Sequence, residues 1–215
     1  MTAEIRTTQV GPWGMNTYVI VCTETHASAI VDPGDDAGRI QSLAAGTQVD
    51  KILLTHGHED HVGALAEVKS ATGAPVFLHP AEAEKFGIVY DVPLDDGAVI
   101  PVGNLRIRAV HTPGHTPGMI SFVVDEGRVI VGDTIFMGGP GRTWSPEDFA
   151  TTMKTMQKVI FLWSDEVEFL PGHGPSSTIG AERSGFEDFL DRGWPEGLHG
   201  DVTWRPDQEQ GAGNP

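Results

Sequence analysis

Short apolar runs, each bounded by turn residues, dominate the pattern of hydrophobic and polar positions along this chain. Runs of this kind are typical of buried β-strands. Hairpin turns are indicated at Gly103-Asn104 and at Asp125-Glu126-Gly127, each between two such runs. The pattern predicts strands at Thr17–Cys22, Ser28–Asp32, Lys51–Leu54, Pro75–Leu78, Leu105–Val110, Ile120–Val124, Arg128–Val131 and Val167–Leu170.

Apolar residues spaced three or four positions apart indicate helices between several of these strands. Ser145 and Pro146 form a typical helix start, because serine caps the first turn and proline fits its first position. We also expect His79, in the stretch LHPAEA, at the start of a helix. The strands and helices together predict a mixed α/β chain. The helical spacing covers Asp36–Ala45, Val62–Thr72, Pro146–Ile160 and Ile179–Leu190.

The chain has no internal stretch rich enough in Pro, Gly or Ser to separate two domains, so we expect one domain over residues 1–198. Residues 199–215 are different, because they are polar, contain Gly and Pro, and carry few apolar residues apart from Val202 and Trp204. Segments of this composition rarely bury enough apolar surface to become ordered. We therefore predict a flexible C-terminal tail over residues 199–215.

The charge of the chain limits its partners. Its 215 residues carry a formal net charge of −16, with a pI near 4.7. Such a field repels polyanions, so we expect no nucleic acid and no anionic membrane as partner. The N-terminal residues lack the pattern of a secretory signal, and no apolar run approaches the roughly 20 residues that span a bilayer. We expect a cytoplasmic protein, as a monomer or a homodimer.

Histidine and aspartate recur directly after four of the predicted strands. The stretch THGHEDHVG follows one strand, and HTPGHTPG, GDT and PGHG follow three others. Strand ends deliver side chains to one edge of a sheet, where binding sites in α/β folds are built. We therefore expect these side chains to form one site. The residues concerned are His56, His58, Asp60, His61, His111, His115, Asp133 and His173.

Histidine and carboxylate ligands without cysteine suit zinc, iron or manganese, and they argue against a purely structural zinc site. Without a metal, the same groups buried together carry unpaired charge or unsatisfied donors. Without His111, the seven remaining groups are too many for one tetrahedral ion. They fit two ions that share one carboxylate. The sequence thus predicts two divalent ions, with zinc as the first choice and iron or manganese as alternatives.

The stretch HGHEDH matches the HxHxDH signature of the metallo-β-lactamase superfamily. VDPG at residues 31–34, TPGHTPG, GDT and PGHG resemble the other motifs of that superfamily, in the same order. The resemblance extends from about Gly14 to Leu190 and implies the αβ/βα sandwich fold. In this fold two mixed β-sheets face each other and the helices lie on the outside.

The resemblance also implies a role for each residue of the motifs. Asp133 corresponds to the ligand that bridges the two ions. Asp32 corresponds to a residue that holds the histidine loop by hydrogen bonds, and His111 is expected next to the ligands rather than among them. The first ion is assigned to His56, His58 and His115, and the second ion to Asp60, His61 and His173.

Within the superfamily, HTPGHTPG, GDTIF and GPGR resemble glyoxalase II and its shorter relatives, and FLPGHGPSSTIGAER resembles the short bacterial members. This implies a metal-dependent hydrolase that cleaves a hydroxyacyl-thiol thioester. Hydroxide held by the ions is expected to attack the thioester, with Asp60 and Asp133 as the catalytic carboxylates. Because two divalent ions leave the site cationic, we expect a small anionic thiol conjugate as substrate. The candidate substrate contacts are Arg142, Phe136, Trp144 and Trp13.

Three alternatives remain open. A persulfide dioxygenase of the same superfamily uses a single Fe²⁺, which His56, His115 and Asp133 would hold here. GPGRT at residues 139–143 resembles a segment of that group. A lactone hydrolase uses the same ligand set as the thioesterase. A binding module without catalytic activity is the least favoured, because every ligand position of the motifs is kept.

Overall fold

Two six-stranded β-sheets form the centre of the protein. The computed structural model describes residues 3–205. Strands β1 to β3 of the first sheet are antiparallel neighbours, whereas β3 to β6 run parallel to one another. In spatial order this sheet contains β1 (Ala3–Val10), β2 (Met15–Cys22), β3 (Ala27–Val31), β4 (Gln48–Leu53), β5 (Val76–Leu78) and β6 (Val92–Pro93).

The second sheet has the spatial order β14-β13-β10-β9-β8-β7. Only β10 and β13 are parallel neighbours in it. A separate two-stranded sheet contains β11 (Ile135–Phe136) and β12 (Gly139–Pro140). The strands of the second sheet are β7 (Val99–Val102), β8 (Leu105–His111), β9 (Ile120–Val123), β10 (Arg128–Gly132), β13 (Glu168–Pro171) and β14 (Ser177–Thr178).

Six α-helices and one short 3₁₀ helix (Ile160–Leu162) connect these strands within residues 3–205. The helix predicted at Val62–Thr72 is two helices, separated at Gly63 and Ala64. His79 caps a helix as expected, since its ring accepts a hydrogen bond from the amide of Ala81. None of the helices of the described residues is long and apolar enough to cross a membrane. They are α1 (Ala37–Leu43), α2 (Glu59–Val62), α3 (Leu65–Thr72), α4 (Pro80–Phe86), α5 (Pro146–Lys158) and α6 (Ile179–Arg192).

Three apolar layers hold these elements together. The central layer lies between the two sheets and includes Ile20 of β2 and Phe122 of β9, both fully buried. A second layer joins the first sheet to α1 and α3, and a third joins the second sheet to α5 and α6. Because both faces of each sheet are covered, central strands such as β2 are buried at every residue. This is the predicted αβ/βα sandwich.

Six strands were missed by the hydrophobic pattern. Strand β1 alternates exposed and partly buried residues, because it lies at the edge of the first sheet. The others have four residues or fewer, too few for a periodic signal. They form through pairing with neighbouring strands rather than through their own sequence.

The chain after residue 199 packs against the domain as far as the structure describes it. Gly200 forms an isolated β-bridge with Thr143. The Trp204 side chain is 1% exposed, and its amide donates to the Gly138 carbonyl. We expected a flexible segment here, but a buried indole and these backbone bonds attach residues 200–205 to the second half of the domain. Residues 206–215 of the predicted tail lie outside the described residues, and the domain boundary remains a prediction.

Candidate metal centre

Loops that follow five strands meet at one edge of the sandwich. In the first sheet, Asp32 follows β3 and the loop from His56 to His61 follows β4. In the second sheet, loops after β8, β10 and β13 carry His115, Asp133 and His173. Both β3–β4 and β10–β13 are parallel pairs, so their carboxyl ends lie at the same edge.

The first cluster consists of three imidazoles. The Nδ1 atom of His58 lies 3.0 Å from Nε2 of His56 and 2.9 Å from Nε2 of His115. Three ring nitrogens that face one point cannot all hydrogen-bond to each other, because a neutral imidazole has one donor and one acceptor nitrogen. Their arrangement fits a cation that accepts all three lone pairs.

The second cluster consists of Asp60, His61 and His173, whose ligand atoms lie within 4.8 Å of one another. The Oδ2 atom of Asp60 is 3.0 Å from Nε2 of His173 and 3.9 Å from Nε2 of His61. One carboxylate with two imidazoles is a common ligand set for a divalent transition-metal ion.

Asp133 lies between the two clusters. Its Oδ2 is 3.7 Å from Nε2 of His115 and 3.8 Å from Nε2 of His173, and its Oδ1 is 3.3 Å from Nε2 of His61. Despite that short separation, Oδ1 of Asp133 and Nε2 of His61 are buried without a hydrogen bond among the described residues. Buried polar atoms without a partner are costly, so these two atoms fit ligands of a metal ion. The position of Asp133 between the clusters fits a ligand that both ions share.

Asp32 determines which ring nitrogen of His56 and of His61 faces the clusters. Its Oδ2 accepts from the Thr55 hydroxyl (2.6 Å) and from Nδ1 of His61 (2.9 Å), and its Oδ1 accepts from the Thr55 amide. Since the Thr55 hydroxyl donates to Asp32, it accepts from Nδ1 of His56. Both histidines therefore keep Nδ1–H bonded to an oxygen and direct Nε2 at the clusters, the orientation that metal binding requires. Asp32 has a positive φ of 52°, a conformation that aspartate tolerates better than most residues.

Backbone carbonyls orient two further histidines. Nδ1 of His115 donates to the carbonyl of Arg142 at 2.8 Å, and Nδ1 of His173 lies 3.4 Å from the carbonyl of Trp13. In each ring this leaves Nε2 for the cluster. The backbone of two predicted substrate contacts thus holds the ligands in place, a role that residue type alone did not indicate.

Burial and neighbouring charges shift the pKa values of the site. Burial lowers the pKa of His56 well below its usual range and that of His58 to about 4, so both are neutral near pH 7. Burial opposes ionisation of Asp133, but the nearby histidines, His61 above all, outweigh it and hold its pKa well below the ordinary value. Burial also opposes protonation of His61, and Asp133 and Asp32 outweigh it to hold that pKa well above the ordinary value. The first cluster thus holds neutral imidazoles at His56 and His58, whereas in the second cluster His61 keeps a proton beside the ionised Asp133, which a metal ion bound there would displace.

Glycine at residue 172 makes room for the centre. A Cβ atom there would overlap Oδ1 of Asp133 and lie 2.6 Å from Cε1 of His61. Any side chain at this position therefore displaces Asp133, which lies between the clusters, and His61 of the second cluster. The PGHG motif thus contributes a space for the carboxylate as well as His173.

The four predicted substrate contacts surround the centre. The Trp144 ring lies 6.0 Å from that of His58, and the Arg142 guanidinium lies 4.9 Å above the same indole. The Phe136 ring lies 6.3 Å from that of His173. Trp13 and Trp144 are about half exposed, at 46% and 51%. Together these four side chains form a partly apolar surface around the centre, to which Arg142 contributes a positive charge.

His111 lies away from both clusters. Its ring stacks on His79 with centroids 4.7 Å apart, and its Nε2 lies 2.8 Å from the carbonyl of Pro117. Within residues 3–205 its ring contacts His79 and Pro117 and none of the proposed ligand side chains. Three further residues of the site, Thr55, Gly172 and Glu82, were not singled out, because their types are common outside metal sites.

A cavity of about 310 Å³ lies next to the centre, on the side of Asp60. Trp13, Met15 and Asp35 contribute to its wall, but none of the five histidines of the two clusters does. It therefore lies beside the centre rather than over it.

Comparison with known proteins agrees with this geometry. Residues 10–174 match the Lactamase_B family, the metallo-beta-lactamase superfamily. The chain belongs to this superfamily. It is similar to the hydroxyacylglutathione hydrolase GloC of Haemophilus influenzae, with 35% identity over 180 residues that cover 73% of this chain and 84% of that protein.

Two solved structures share the fold over most of their length. TTHA1623 in a di-iron-bound form is 32% identical, with a TM-score of 0.67 over 82% of this chain and 96% of that chain. ETHE1 from Myxococcus xanthus is 25% identical, with a TM-score of 0.78 over 86% of this chain and 84% of that chain. Superfamily membership and the two histidine–aspartate clusters support a metal-dependent hydrolase that uses divalent ions.

Proposed function

We propose that this chain hydrolyses the thioester of a small anionic hydroxyacyl-thiol conjugate, with two divalent ions and zinc as the first choice. The observation that carries the proposal is the position of Asp133 between two clusters of three ligands each. The similarity to a hydroxyacylglutathione hydrolase over 73% of the chain supports the substrate class.

In this proposal His56, His58 and His115 hold one ion, and Asp60, His61 and His173 hold the other. Asp133 would serve both ions, because its oxygens face residues of both clusters. When bound, two such ions would act as Lewis acids, which polarise a carbonyl oxygen and lower the pKa of water. The hydrogen bonds of Asp32 and Thr55 keep His56 and His61 in the tautomer that binds metal.

Asp60 is the more exposed of the two cluster carboxylates, with 20% of its side chain exposed against 10% for Asp133. Burial opposes its ionisation, but the hydrogen bond from His173 outweighs this and holds the pKa of Asp60 below its ordinary value. Asp60 is therefore ionised and faces solvent, and we assign it the proton of the attacking water. Asp133 would hold the two sets of ligands at a fixed distance from each other, because it lies between them.

Arg142 and Trp144 are proposed to bind the thiol part of the substrate. The guanidinium is 43% exposed and stays on the indole face, while its ion pair with Asp201 is 3.7 Å long. A long, exposed ion pair is weak, so a carboxylate of the substrate can replace Asp201. The indole lies next to His58 and offers an apolar surface to the acyl group.

The test measures kcat/KM of the metal-loaded protein on a panel of substrates, and elemental analysis counts the ions bound per chain. The panel contains a hydroxyacyl thioester of glutathione, a thioester of an uncharged thiol, a lactone and a β-lactam. We expect the highest kcat/KM for the anionic thioester, with about two ions bound per chain. Hydrolysis of the lactone or the β-lactam in its place would refute the substrate assignment.

Substitution Arg142→Ala tests the anionic contact. We expect a higher KM for the anionic thioester and an unchanged KM for the uncharged one. Arg106→Ala is the matched control, because it removes an exposed arginine at the start of β8. Equal kinetics of the Arg142 variant and the native protein on both thioesters would exclude Arg142 from substrate binding.

A single-iron dioxygenase is the second candidate. Asp133 lies next to two histidines of the first cluster, His56 and His115. The rings of these two histidines are 5.0 Å apart, and Oδ2 of Asp133 is 3.7 Å from Nε2 of His115. Two histidines and a carboxylate form the facial ligand set of non-haem Fe(II) oxygenases. Oxygen consumption on a thiol persulfide by protein loaded anaerobically with Fe²⁺, with about one iron per chain and no thioesterase activity, would favour this candidate.

A further inference from the structure

A glutamate outside the ligand motifs joins the two halves of the centre. Glu82 lies in the first turn of α4, and its side chain is fully buried. Carboxylates are rarely buried completely, because desolvation of the charge is costly unless strong hydrogen bonds compensate. The contacts of Glu82 indicate what the charge stabilises.

Each oxygen of Glu82 accepts from the backbone of a different ligand loop. Oε2 accepts from the amide of Gly57 at 2.9 Å, and Oε1 accepts from the amide of Gly118 at 2.6 Å. Gly57 lies between the ligands His56 and His58 in the loop after β4 of the first sheet. Gly118 belongs to the loop after β8 of the second sheet, three residues beyond His115.

These two loops supply the whole first cluster, and they come from different sheets. We propose that Glu82 is a positioning residue, which holds the imidazoles of His56 and His58 at the correct distance from His115 before a metal ion binds. The inference rests on the proposed assignment of these three histidines to one ion. It does not depend on the identity of the substrate.

The packing around Glu82 leaves little freedom for the loops. A Cβ atom on Gly118 would lie 2.8 Å from Cγ of Glu82 and 2.6 Å from Nδ1 of His79. A Cβ atom on Gly57 would lie 2.5 Å from Cδ2 of Phe86, in the last turn of the same helix. Both loops thus pack directly on α4, and the carboxylate sets their separation.

A carboxylate is required because both contacts need an acceptor. Glutamine has the same shape, but its amide nitrogen would face one of the two backbone N–H groups. The substitution Glu82→Gln therefore breaks one of the two links and leaves a buried donor opposite another donor. The loop concerned then moves, and the cluster loses its spacing.

Glu182 provides a matched control. It is also buried, at 1% exposure, and accepts from the amide of Gly138, the indole of Trp204, the hydroxyl of Ser177 and the guanidinium of Arg205. It binds neither of the two loops that carry the first cluster. Glu182→Gln thus disturbs a buried carboxylate at least as strongly, since it also breaks the ion pair with Arg205, without touching His56, His58 or His115.

The experiment is a titration of the metal-free protein with Zn²⁺ in competition with a chromophoric chelator. For Glu82→Gln we expect a zinc affinity about 10-fold to 100-fold weaker at the first cluster, the usual effect of losing a partner that orients ligands. For Glu182→Gln we expect the native affinity. Native affinity in a folded Glu82→Gln protein overturns the inference, and so does equal weakening in both variants, which indicates loss of stability alone.

Hydrogen exchange of the native metal-free protein decides the case in which Glu82→Gln fails to fold. We expect the amides of Gly57 and Gly118 to be protected from exchange before zinc is added, because Glu82 already binds them. Rapid exchange of both amides in the metal-free state overturns the inference. If the native protein binds no zinc at all, the metal assignment fails together with it, whereas zinc binding that Glu82→Gln leaves unchanged refutes the Glu82 inference alone.

Discussion

The substitution Asp32→Asn changes which ring nitrogens of two proposed ligands carry a proton. Asn keeps an oxygen for the Thr55 amide and places an NH₂ group where Oδ2 of Asp32 accepts from the Thr55 hydroxyl and from His61. The hydroxyl must then accept from Asn and donate to Nδ1 of His56. Both histidines carry their proton on Nε2, which faces the clusters and can no longer bind a metal ion.

The magnitude follows from the number of ligands affected. One histidine of each cluster takes the wrong tautomer, and loss of a partner that orients a ligand weakens metal binding by about 10-fold to 100-fold. At about 1.4 kcal/mol per factor of ten, this is about 1.4–2.8 kcal/mol for each ion. The backbone tolerates the change, because Asn adopts the positive φ of 52° as readily as Asp.

Zinc titration against a competing chelator measures the affinities, and ¹⁵N spectra of the imidazoles report the tautomers directly. Asp35→Asn is the control, since it removes the same charge from an exposed position three residues away. If Asp32→Asn bound both ions with native affinity and kept Nδ1 protonated in His56 and His61, the role of Asp32 as the residue that sets the tautomers would be refuted.

Three other predictions concern the metal and the packing. Removal of the ions with a chelator should lower the free energy of unfolding by about 2.7 kcal/mol for each ion at an ion concentration of 100 times Kd, measured by urea denaturation with and without added zinc. Gly172→Ala should abolish binding of both ions because its Cβ overlaps Asp133, whereas Gly38→Ala, in an open position of α1, should leave binding intact; bound zinc counted by elemental analysis distinguishes the two. Trp204→Ala should lower the free energy of unfolding by about 3–5 kcal/mol, as is usual for a buried tryptophan, and a change near zero would show that residues 200–205 do not stabilise the domain.

The strands that carry the site were visible in the sequence because each contains a short apolar run bounded by turn residues. Strands β3 and β10 are buried along almost their whole length, whereas β8 alternates buried and exposed residues in its first half. The loops after them stood out because histidine and aspartate cluster there at fixed spacings. Edge strand β1 and the two-residue strands were not visible, since their order comes from pairing with neighbours. Trp204 was placed in a flexible tail because its segment is polar. Only the tertiary structure shows that its indole packs on Phe161 and Phe186 and donates to Glu182.

The motifs were enough to indicate the sandwich fold, through their resemblance to the metallo-β-lactamase superfamily. They also indicated the members of the proposed ligand set, because imidazole and carboxylate at strand ends have few other uses. Which ring nitrogen faces the ions depends on Asp32 and Thr55, and these lie 23 residues apart. The spacing between His58 and His115 depends on Glu82, which contacts the backbone of both loops and leaves no periodic or motif signal. Contacts of this kind form only when distant segments pack together, so the fold alone positions the histidines that the sequence identifies.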